Sequence, residues 1–534
     1  MYALIDGNNF YVSCERVFAP RLAGKPVVVL SSNDGACIAR SNEAKDLGVK
    51  MAQPWFQVRH LEKTAGLIAV SANHELYGDM SARMMAIEAR YAPRQEVYSI
   101  DESFLDFDGV REDRVAVGRH MRAAILKETG IPTSVGFGAT KTLAKLANHV
   151  GKTADRKPGS YPAGLAQVCN FAALTPGELD DVLARTEVGE IWGVGRRIGA
   201  KLREQGVTTV LDFVRADPSV IRKQFSVVLE KTLLELRGTS CLGLSDVEDA
   251  PAARQQILVS RSFGKAITEP AGIVEAVSEF ASRAAEKLRH QDSTAGAVGV
   301  FFTTSPFRPN DRQHSVNVTM PLIRPTADTR LLVETAVSAA RREFRPRFNY
   351  AKAGVILVNL QPASHHQGEL DLFSSDDRLA PPTKDRTALM DAMDVLNRRY
   401  GRDSVRVGSS TLASHDSDVR SWATRQERRS PRFTTRWDEM PVVKAWRESI
   451  WIGGVMVEVA PREVIGPGVS RGCMVAILRA HKTPLPPQCT LPEQSTCQQS
   501  LSLCPCMESP NSLHCRGPTA PGNQRIGCSL TSGQ

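Results

Sequence analysis

Three acidic residues hold the densest chemistry in this 534-residue chain. Asp6 closes an opening apolar run, Tyr2-Ala3-Leu4-Ile5. Asp101 and Glu102 fall between Val97-Tyr98-Ser99-Ile100 and Ser103-Phe104-Leu105-Asp106-Phe107. The second stretch reads as strand, acidic turn, strand, with apolar residues alternating after the turn. If the two strands lie side by side, three carboxylates meet at one end of a sheet. Carboxylates that close repel one another, and burying them unpaired is costly. Divalent cations relieve that cost, and Mg²⁺ takes hard oxygen ligands while keeping positions for phosphate oxygens. A pair of such ions is the machinery of phosphoryl transfer. A solvated acidic hairpin turn is the plainer alternative and the commoner use of such residues.

The elements that must position these acids are legible in outline. Strand and helix signals alternate through residues 1–165. Val27-Val28-Val29-Leu30 reads as a buried strand, Ser41–Leu47 as a short helix ending near Gly48, and Glu75–Tyr91 and Val115–Thr129 as helices by apolar spacing. Further on, Gly193-Val194-Gly195 lies between two helical segments. Such glycines let backbone N–H groups approach a phosphate, and the next helix offers its positive end. Arg196, Arg197 and Lys201 directly afterwards favour that use over an ordinary glycine turn. Residues 245–256 are polar, acidic and Ala/Pro-containing, a linker. After them come strand (257–263), helix (273–289), strand (297–303), strand (313–319), helix (328–342) and strand (353–360).

The net charge of +9 and a pI of about 9.0 favour a polyanionic partner. Mean hydropathy is −0.23, and no run of about 20 apolar residues suits a membrane. The chain starts directly on the strand of Asp6, with no export signal, so a cytoplasmic location is expected. Residues 1–445 hold only Cys14, Cys37, Cys169 and Cys241, without ligand-like spacing.

The string Asp6-Gly7-Asn8-Asn9-Phe10-Tyr11-Val12-Ser13-Cys14-Glu15 resembles the first motif of Y-family translesion DNA polymerases. Ser99–Asp106 resembles their metal-binding motif, and Gly136-Phe137-Gly138-Ala139-Thr140-Lys141-Thr142-Leu143-Ala144-Lys145-Leu146-Ala147-Asn148 the helix-opening motif that follows. Within the family the UmuC/MucB group is most similar, over residues 1–445. The resemblance implies an α+β right-hand polymerase. Its palm would be residues 1–17 and 71–168, its fingers 18–70, and its thumb 169–244 with a helix-hairpin-helix. The little finger would be 257–360 and a clamp- and partner-binding region 361–445.

The same resemblance implies template-directed, error-prone synthesis past damaged bases in the SOS response. Two Mg²⁺ ions would be held by Asp6, Asp101, Glu102 and the Gly7 carbonyl. Tyr11 would be the steric gate against a ribose 2′-hydroxyl, with Phe10 packed beside it. Lys152 and Lys157 compete as the lysine on the triphosphate. The fingers positions where many relatives place Tyr and Arg read Asn42 and Lys45, which leaves Lys45 and Arg40 as candidates there. Gly193, Gly195, Arg196, Arg197 and Lys201 would grip primer-template DNA. A UmuD′-like dimer and a RecA filament are further implied partners. Gln367-Gly368-Glu369-Leu370-Asp371-Leu372-Phe373 fits the Q-x-x-L-x-L-F peptide of sliding-clamp ligands, in which Gln367, Leu370, Leu372 and Phe373 fill a preformed pocket.

Residues 415–436 are dense in Arg and Ser, with Trp422 inside and Trp437 just after; they suit DNA or partner contact, or plain solvation. From Trp446 the resemblance stops. Residues 446–534 contain no Asp, ten Pro and seven Cys. They read as a rearranged gene end, expected to be disordered. Cys504-Pro505-Cys506 is a poor zinc spacing. Two other readings compete: a palm-fold nucleotide cyclase, which lacks its Gly-Gly-(Asp/Glu)-Glu-Phe turn here, and a non-catalytic DNA- or clamp-binding product of an interrupted gene.

Overall fold

The computed structural model describes residues 1–244, 254–364, 386–401, 403–411, 422–441, 449–452, 455–460 and 477–480. The chain opens with β1 (Tyr2–Gly7) and α1 (Phe10–Phe18). It then runs through β2 (Val27–Leu30), β3 (Cys37–Arg40), α2 (Asn42–Asp46), α3 (Trp55–Val58), α4 (Leu61–Thr64) and β4 (Ile68–Ser71). It returns through α5 (His74–Glu88), β5 (Arg94–Val97), β6 (Glu102–Asp106), α6 (Arg114–Thr129), β7 (Thr133–Gly138), α7 (Lys141–Arg156) and β8 (Val168–Asn170). The palm sheet has the order β5-β6-β1-β7-β8. β1 is its middle strand, antiparallel to β6 and β7, and its Ala3, Leu4 and Ile5 are fully buried. Apolar side chains on both faces of β1 are therefore covered, which explains why its run does not alternate.

The fingers form a separate small sheet, β3-β2-β4, over their own core of Val28, Leu30, Cys37, Val49, Val58 and Leu67. Ser41 caps α2 by accepting the Ala44 N–H. The acidic turn differs slightly from the sequence expectation. β5 covers Arg94–Val97 rather than 97–100, because the Ser99 hydroxyl accepts the N–H groups of Asp101 and Glu102 at 3.2 and 3.1 Å and folds that stretch into the turn itself.

The thumb comprises α8 (Pro176–Arg185), α9 (Arg196–Glu204), α10 (Val210–Arg215), α11 (Pro218–Gln224) and α12 (Val227–Leu236). Capping boxes at Thr175/Glu178 and Thr209/Asp212 start α8 and α10. The little finger keeps the order read from the sequence, with longer strands: β9 (Ile257–Ile267), α13 (Pro270–His290), β10 (Ser293–Thr304), β11 (Ser315–Thr326), α14 (Thr329–Glu343) and β12 (Tyr350–Pro362). Its antiparallel sheet runs β11-β10-β12-β9. A helix, α15 (Thr387–Tyr400), joins this unit through the Arg289–Asp394 ion pair at 2.7 Å. The clamp-like peptide 367–373 lies outside the described residues, as does 245–253 of the linker.

Residues 442–534 form a second compact unit. In the stretch expected to be disordered, the described residues are three short strands, β13 (Ser449–Ile452), β14 (Val455–Ala460) and β15 (Ile477–Ala480), paired antiparallel in that order. Their β-branched content (Ile450, Ile452, Val455, Val457, Val459) suits strands.

One close contact fixes the palm. α7 lies on β7 and β1 at positions where β7 carries glycine. A Cβ on Gly136 would stand 2.1 Å from the Asn148 nitrogen and 2.4 Å from the Ala144 carbonyl; one on Gly138 would stand 2.5 Å from the Ala144 nitrogen. The Asn148 side-chain amide then donates to the carbonyls of Leu4 (3.2 Å) and Ser134 (2.8 Å), tying the helix to both strands. Gly136→Ala is expected to destabilise the protein by about 3 kcal/mol or more in urea melts, since backbone atoms cannot yield. Gly164→Ala, with open space around it, is expected to change stability by less than about 0.5 kcal/mol.

Candidate active site

The antiparallel register puts Asp6 opposite Glu102. The Gly7 N–H donates to the Asp101 carbonyl at 2.8 Å, so the third acid follows on the same sheet end. Two segments almost a hundred residues apart thus carry three acidic residues to one end of the sheet. The lysines that meet them come from α7. The Lys145 ammonium lies 2.8 Å from both carboxylate oxygens of Glu102, and Lys152 forms an ion pair with Asp6. A spacing of seven residues is two turns, so one helix face delivers both cations. The third lysine of α7, Lys141, pairs with Glu96 and covers the Phe104 ring. The Asp101 carboxylate accepts the Ser99 hydroxyl at 2.6 Å.

Burial pushes the Asp6 carboxyl up; Lys152 pulls it back, and the charges of Glu102 and Asp101 push it up again. That balance describes a site short of positive charge. Among the described residues, no three Asp, Glu, His or Cys side chains are gathered into a metal-holding group: Asp6 and Glu102 face their lysines instead. The donor set still suits a hard divalent cation, because three carboxylates share one sheet end and gain by neutralisation.

A second cluster is cationic. Lys45 is pulled down to about 8, first by burial and then by Arg156, Arg40 and Lys152. Its ammonium donates to Asn9 at 2.6 Å, and Asn9 in turn donates to Asn42. Asn9 adopts a left-handed φ of 50° ahead of α1, which aims its side chain at the fingers. Arg40, likewise lowered by burial and by Arg156, donates to the Val49 carbonyl. Lys45, Arg40, Lys152 and Arg156, from fingers and α7, therefore lie close enough to disfavour one another's charge, with Lys152 on Asp6 and Arg156 on Asp46 at 2.8 Å, and an anion placed among them would be stabilised. Arg40, Lys45 and Lys152 are brought together as the sequence suggested. Lys157 is not: it is the exposed cap residue of α7. Arg156 was missed. Its signal was its position four residues after Lys152, one turn along the same face.

Phe10 is buried against Gly7, where a Cβ would stand 2.9 Å from the Phe10 ring. Tyr11 is half-buried and stacks on Tyr77, centroids 4.4 Å apart and planes 18° apart. In the thumb, Gly193 has φ 90°, a conformation that favours glycine, and Gly195 caps α9. Arg196, Arg197 and Lys201 are exposed, and none forms an ion pair among the described residues. Trp192, also missed, joins this hairpin to the acids. Its ring stacks on Phe104 at 5.9 Å and meets Tyr98 edge-on at 5.4 Å, while the Lys145 ammonium lies 4.8 Å from the Tyr98 ring centre and 5.7 Å from that of Trp192.

Residues 5–149 match the impB/mucB/samB family, 254–370 its C-terminal domain, and 387–443 a domain of unknown function. The chain is 40% identical over 446 residues to protein UmuC of Salmonella typhimurium strain LT2, covering 83% of this chain and all of that one. It is 40% identical to protein MucB of Escherichia coli over 445 residues, 83% of this chain and 99% of that one. It is 29% identical over 343 residues to DNA polymerase IV of Corynebacterium diphtheriae, 63% of this chain and 70% of that one. The solved Y-family chimera of Dbh and Dpo4 superposes with a TM-score of 0.51 at 20% identity, over 68% of this chain and 99% of that one, and shares the fold.

Beneath the acids lies a fourth carboxyl, Glu88, buried on α5 and accepting the Ser103 hydroxyl. Burial above all, with the Asp6 charge, raises it to about 8. A raised acid holds its proton in the folded state while the unfolded chain releases it near 4.5, so stability falls as pH rises from about 4.5 to about 8. Glu88→Gln keeps the shape without the ionisation. Its Tm should exceed that of the wild type by a margin that widens between pH 5 and pH 9; a constant margin in thermal melts would refute this.

Proposed function

Since the chain belongs to the impB/mucB/samB family, the UmuC/MucB group of Y-family polymerases, we propose that it is a template-directed, error-prone DNA polymerase that extends primers across damaged bases by two-metal nucleotidyl transfer. The observation that carries the mechanism is the register of Asp6 with Glu102, with Asp101 beside them and a cation cluster adjoining. A nucleotide cyclase would not need the thumb and little finger, and family membership sets that reading aside.

Asp6, Asp101, Glu102 and the Gly7 carbonyl are the groups that would hold Mg²⁺. When bound, the ions lower the pKa of the primer 3′-hydroxyl and steady the departing pyrophosphate. The chain's own residues do the rest. Lys145 and Lys152 neutralise the acids in their absence. Lys152, next to Lys45, Arg40 and Arg156, is placed to exchange Asp6 for a triphosphate oxygen, and Lys45 gains most from that anion because burial and like charge disfavour its ammonium. Tyr11, backed by Tyr77, sits beside Asp101 as a flat wall for the deoxyribose. The Gly193–Gly195 turn and the basic start of α9 suit the DNA backbone, which positions the duplex without reading its sequence. The clamp peptide 367–373, the UmuD′-like dimer, the RecA filament and the SOS setting follow from the family resemblance. Among the described residues no helix is long and apolar enough to cross a membrane.

The test is primer extension with Mg²⁺ on an abasic template, with the full chain and the accessory dimer and recombinase filament supplied. Asp101→Ala should lower the rate by about a thousandfold, the scale of losing a group on which transition-state charge depends. Lys152→Ala should raise the dNTP KM by about ten- to a hundredfold, the worth of a charge-assisted bond, whereas Lys157→Ala should not. Equal extension by wild type and Asp101→Ala would overturn the assignment.

A further inference from the structure

Residues 422–441 fall in the stretch matched by a domain of unknown function. Their contacts lead from the little finger to the back of Tyr11. Trp422 is buried against Phe280 in the little-finger core, centroids 5.2 Å apart. The Gly264 N–H donates to the Ala423 carbonyl at 3.1 Å, and a Cβ at 264 would stand 2.7 Å from that carbonyl, so the crossing requires glycine there. The segment next lies along the fingers. The Asn33 N–H donates to the Arg425 carbonyl at 3.0 Å and the Arg425 N–H to the Asn33 side chain at 2.8 Å. The Ser71 N–H donates to the Arg428 carbonyl at 3.1 Å and the Arg428 N–H to the Ser71 hydroxyl at 3.0 Å, with Arg429 bridged parallel to Ser71.

It then reaches the palm. The Asn73 amide donates to the carbonyls of Ser430 and Pro431 at 3.1 and 3.0 Å, and Phe433 stacks on Phe18 at 4.8 Å. The Ser430 hydroxyl donates at 3.0 Å to Glu15 Oε1, and the same oxygen accepts the Tyr77 hydroxyl at 2.7 Å. Tyr77 is the ring on which Tyr11 stacks.

We propose that residues 422–441 are a strap that sets the sugar gate, with Ser430, Glu15 and Tyr77 as positioning residues acting through Tyr11. This rests on the reading of Tyr11 as the gate. Glu15 is buried, and burial pushes its carboxyl up, while the two hydroxyl donors oppose that push. Loss of the Ser430 donor leaves a buried carboxylate under-satisfied, at the cost of its missing bond, and favours a rearrangement of the groups still bonded to it. Among the described residues the Tyr77 phenol is the other hydroxyl on that oxygen, so the ring behind Tyr11 is the group that shifts. A gate works by contact with one oxygen atom, and displacements of under an ångström change such contacts.

The test compares dATP with ATP incorporation opposite template T, as the ratio of kcat/KM values, under the primer-extension conditions above. Ser430→Ala removes the bond donated to Glu15 and the one accepted from the Asn73 amide at 3.0 Å; it should reduce discrimination against ATP by about three- to tenfold, the worth of the bond to Glu15, by raising kcat/KM for ATP rather than lowering that for dATP. Ser430→Thr, which keeps the hydroxyl, should restore the wild-type ratio. Ser430→Ala should add nothing to Tyr11→Ala. If Tyr11→Ala leaves discrimination intact, the gate reading itself fails. If Tyr11→Ala relaxes it and Ser430→Ala does not, the gate stands and the strap proposal falls. An equal loss for both nucleotides in Ser430→Ala, or an added loss in the double variant, would also overturn the relay.

Discussion

Asp6, Asp101 and Glu102 stand at the end of a sheet whose middle strand is buried on both faces, where charge repulsion is felt strongly and water screens it little. Most of the surrounding architecture follows from the need to neutralise them. α7 supplies Lys145 and Lys152 from one face, and it can do so only because Gly136 and Gly138 let its backbone lie against β7. Asn148, between those lysines in sequence, bonds to carbonyls of β1 and β7 and so fixes the height of the helix along the strands. The lysine contacts are thus set by strand–helix packing rather than by the lysines' own flexible stems. Were Mg²⁺ to take these carboxylates, one set of cations would replace another around the same acids, and the released ammonium groups would be free to meet an anion.

The thumb enters the same balance through Trp192. Its indole rests on Phe104, in the strand of Glu102, and on Tyr98 before the acidic turn, and the Lys145 ammonium sits over the Tyr98 and Trp192 rings while it holds Glu102. Trp192 immediately precedes Gly193, the first glycine of the basic hairpin. The part that suits the duplex backbone and the part that suits the reacting phosphates are therefore joined by one lysine and two aromatic rings, a contact too short to permit independent placement of the two.

What the sequence made legible was local. The alternation after Glu102, the short helix of residues 41–47 and the βαββαβ order of the little finger are patterns of neighbouring residues, and each element appears where it was expected, with ends differing by a few residues. The gathering of Asp6 with Asp101 and Glu102 was reached through motif resemblance plus the assumption of paired strands, and the register supplies that pairing. Side-chain partners between elements were not legible. Nothing in the spacing of Trp192 distinguishes a thumb-to-palm wedge from a core aromatic. Lys152 and Lys157 are equally basic in sequence, and only the end of α7 separates them. Arg156 becomes part of the cation cluster only because the fingers fold over α7 and bring Arg40 and Lys45 to it.

Residues 422–441 show the same limit most fully, because an Arg- and Ser-rich stretch carries no periodicity that distinguishes packed chain from solvated chain. Its role follows from what it touches. A small three-stranded fingers sheet has an open edge at β4, and unpaired strand edges must be covered or blunted. The strap covers it with reciprocal backbone and side-chain bonds at Asn33 and Ser71, while the ion pair of Arg428 with Glu62 and the Arg428 guanidinium over Trp55 hold it to the fingers core. Because the same twenty residues begin in the little-finger core at Trp422 and reach α1 at Phe433, a displacement of the little finger cannot leave the fingers edge and the Glu15 carboxylate untouched. The little finger is thus tied to the nucleotide side of the site by covalent chain as well as by contact, and the polar end of that tie is the Ser430 hydroxyl.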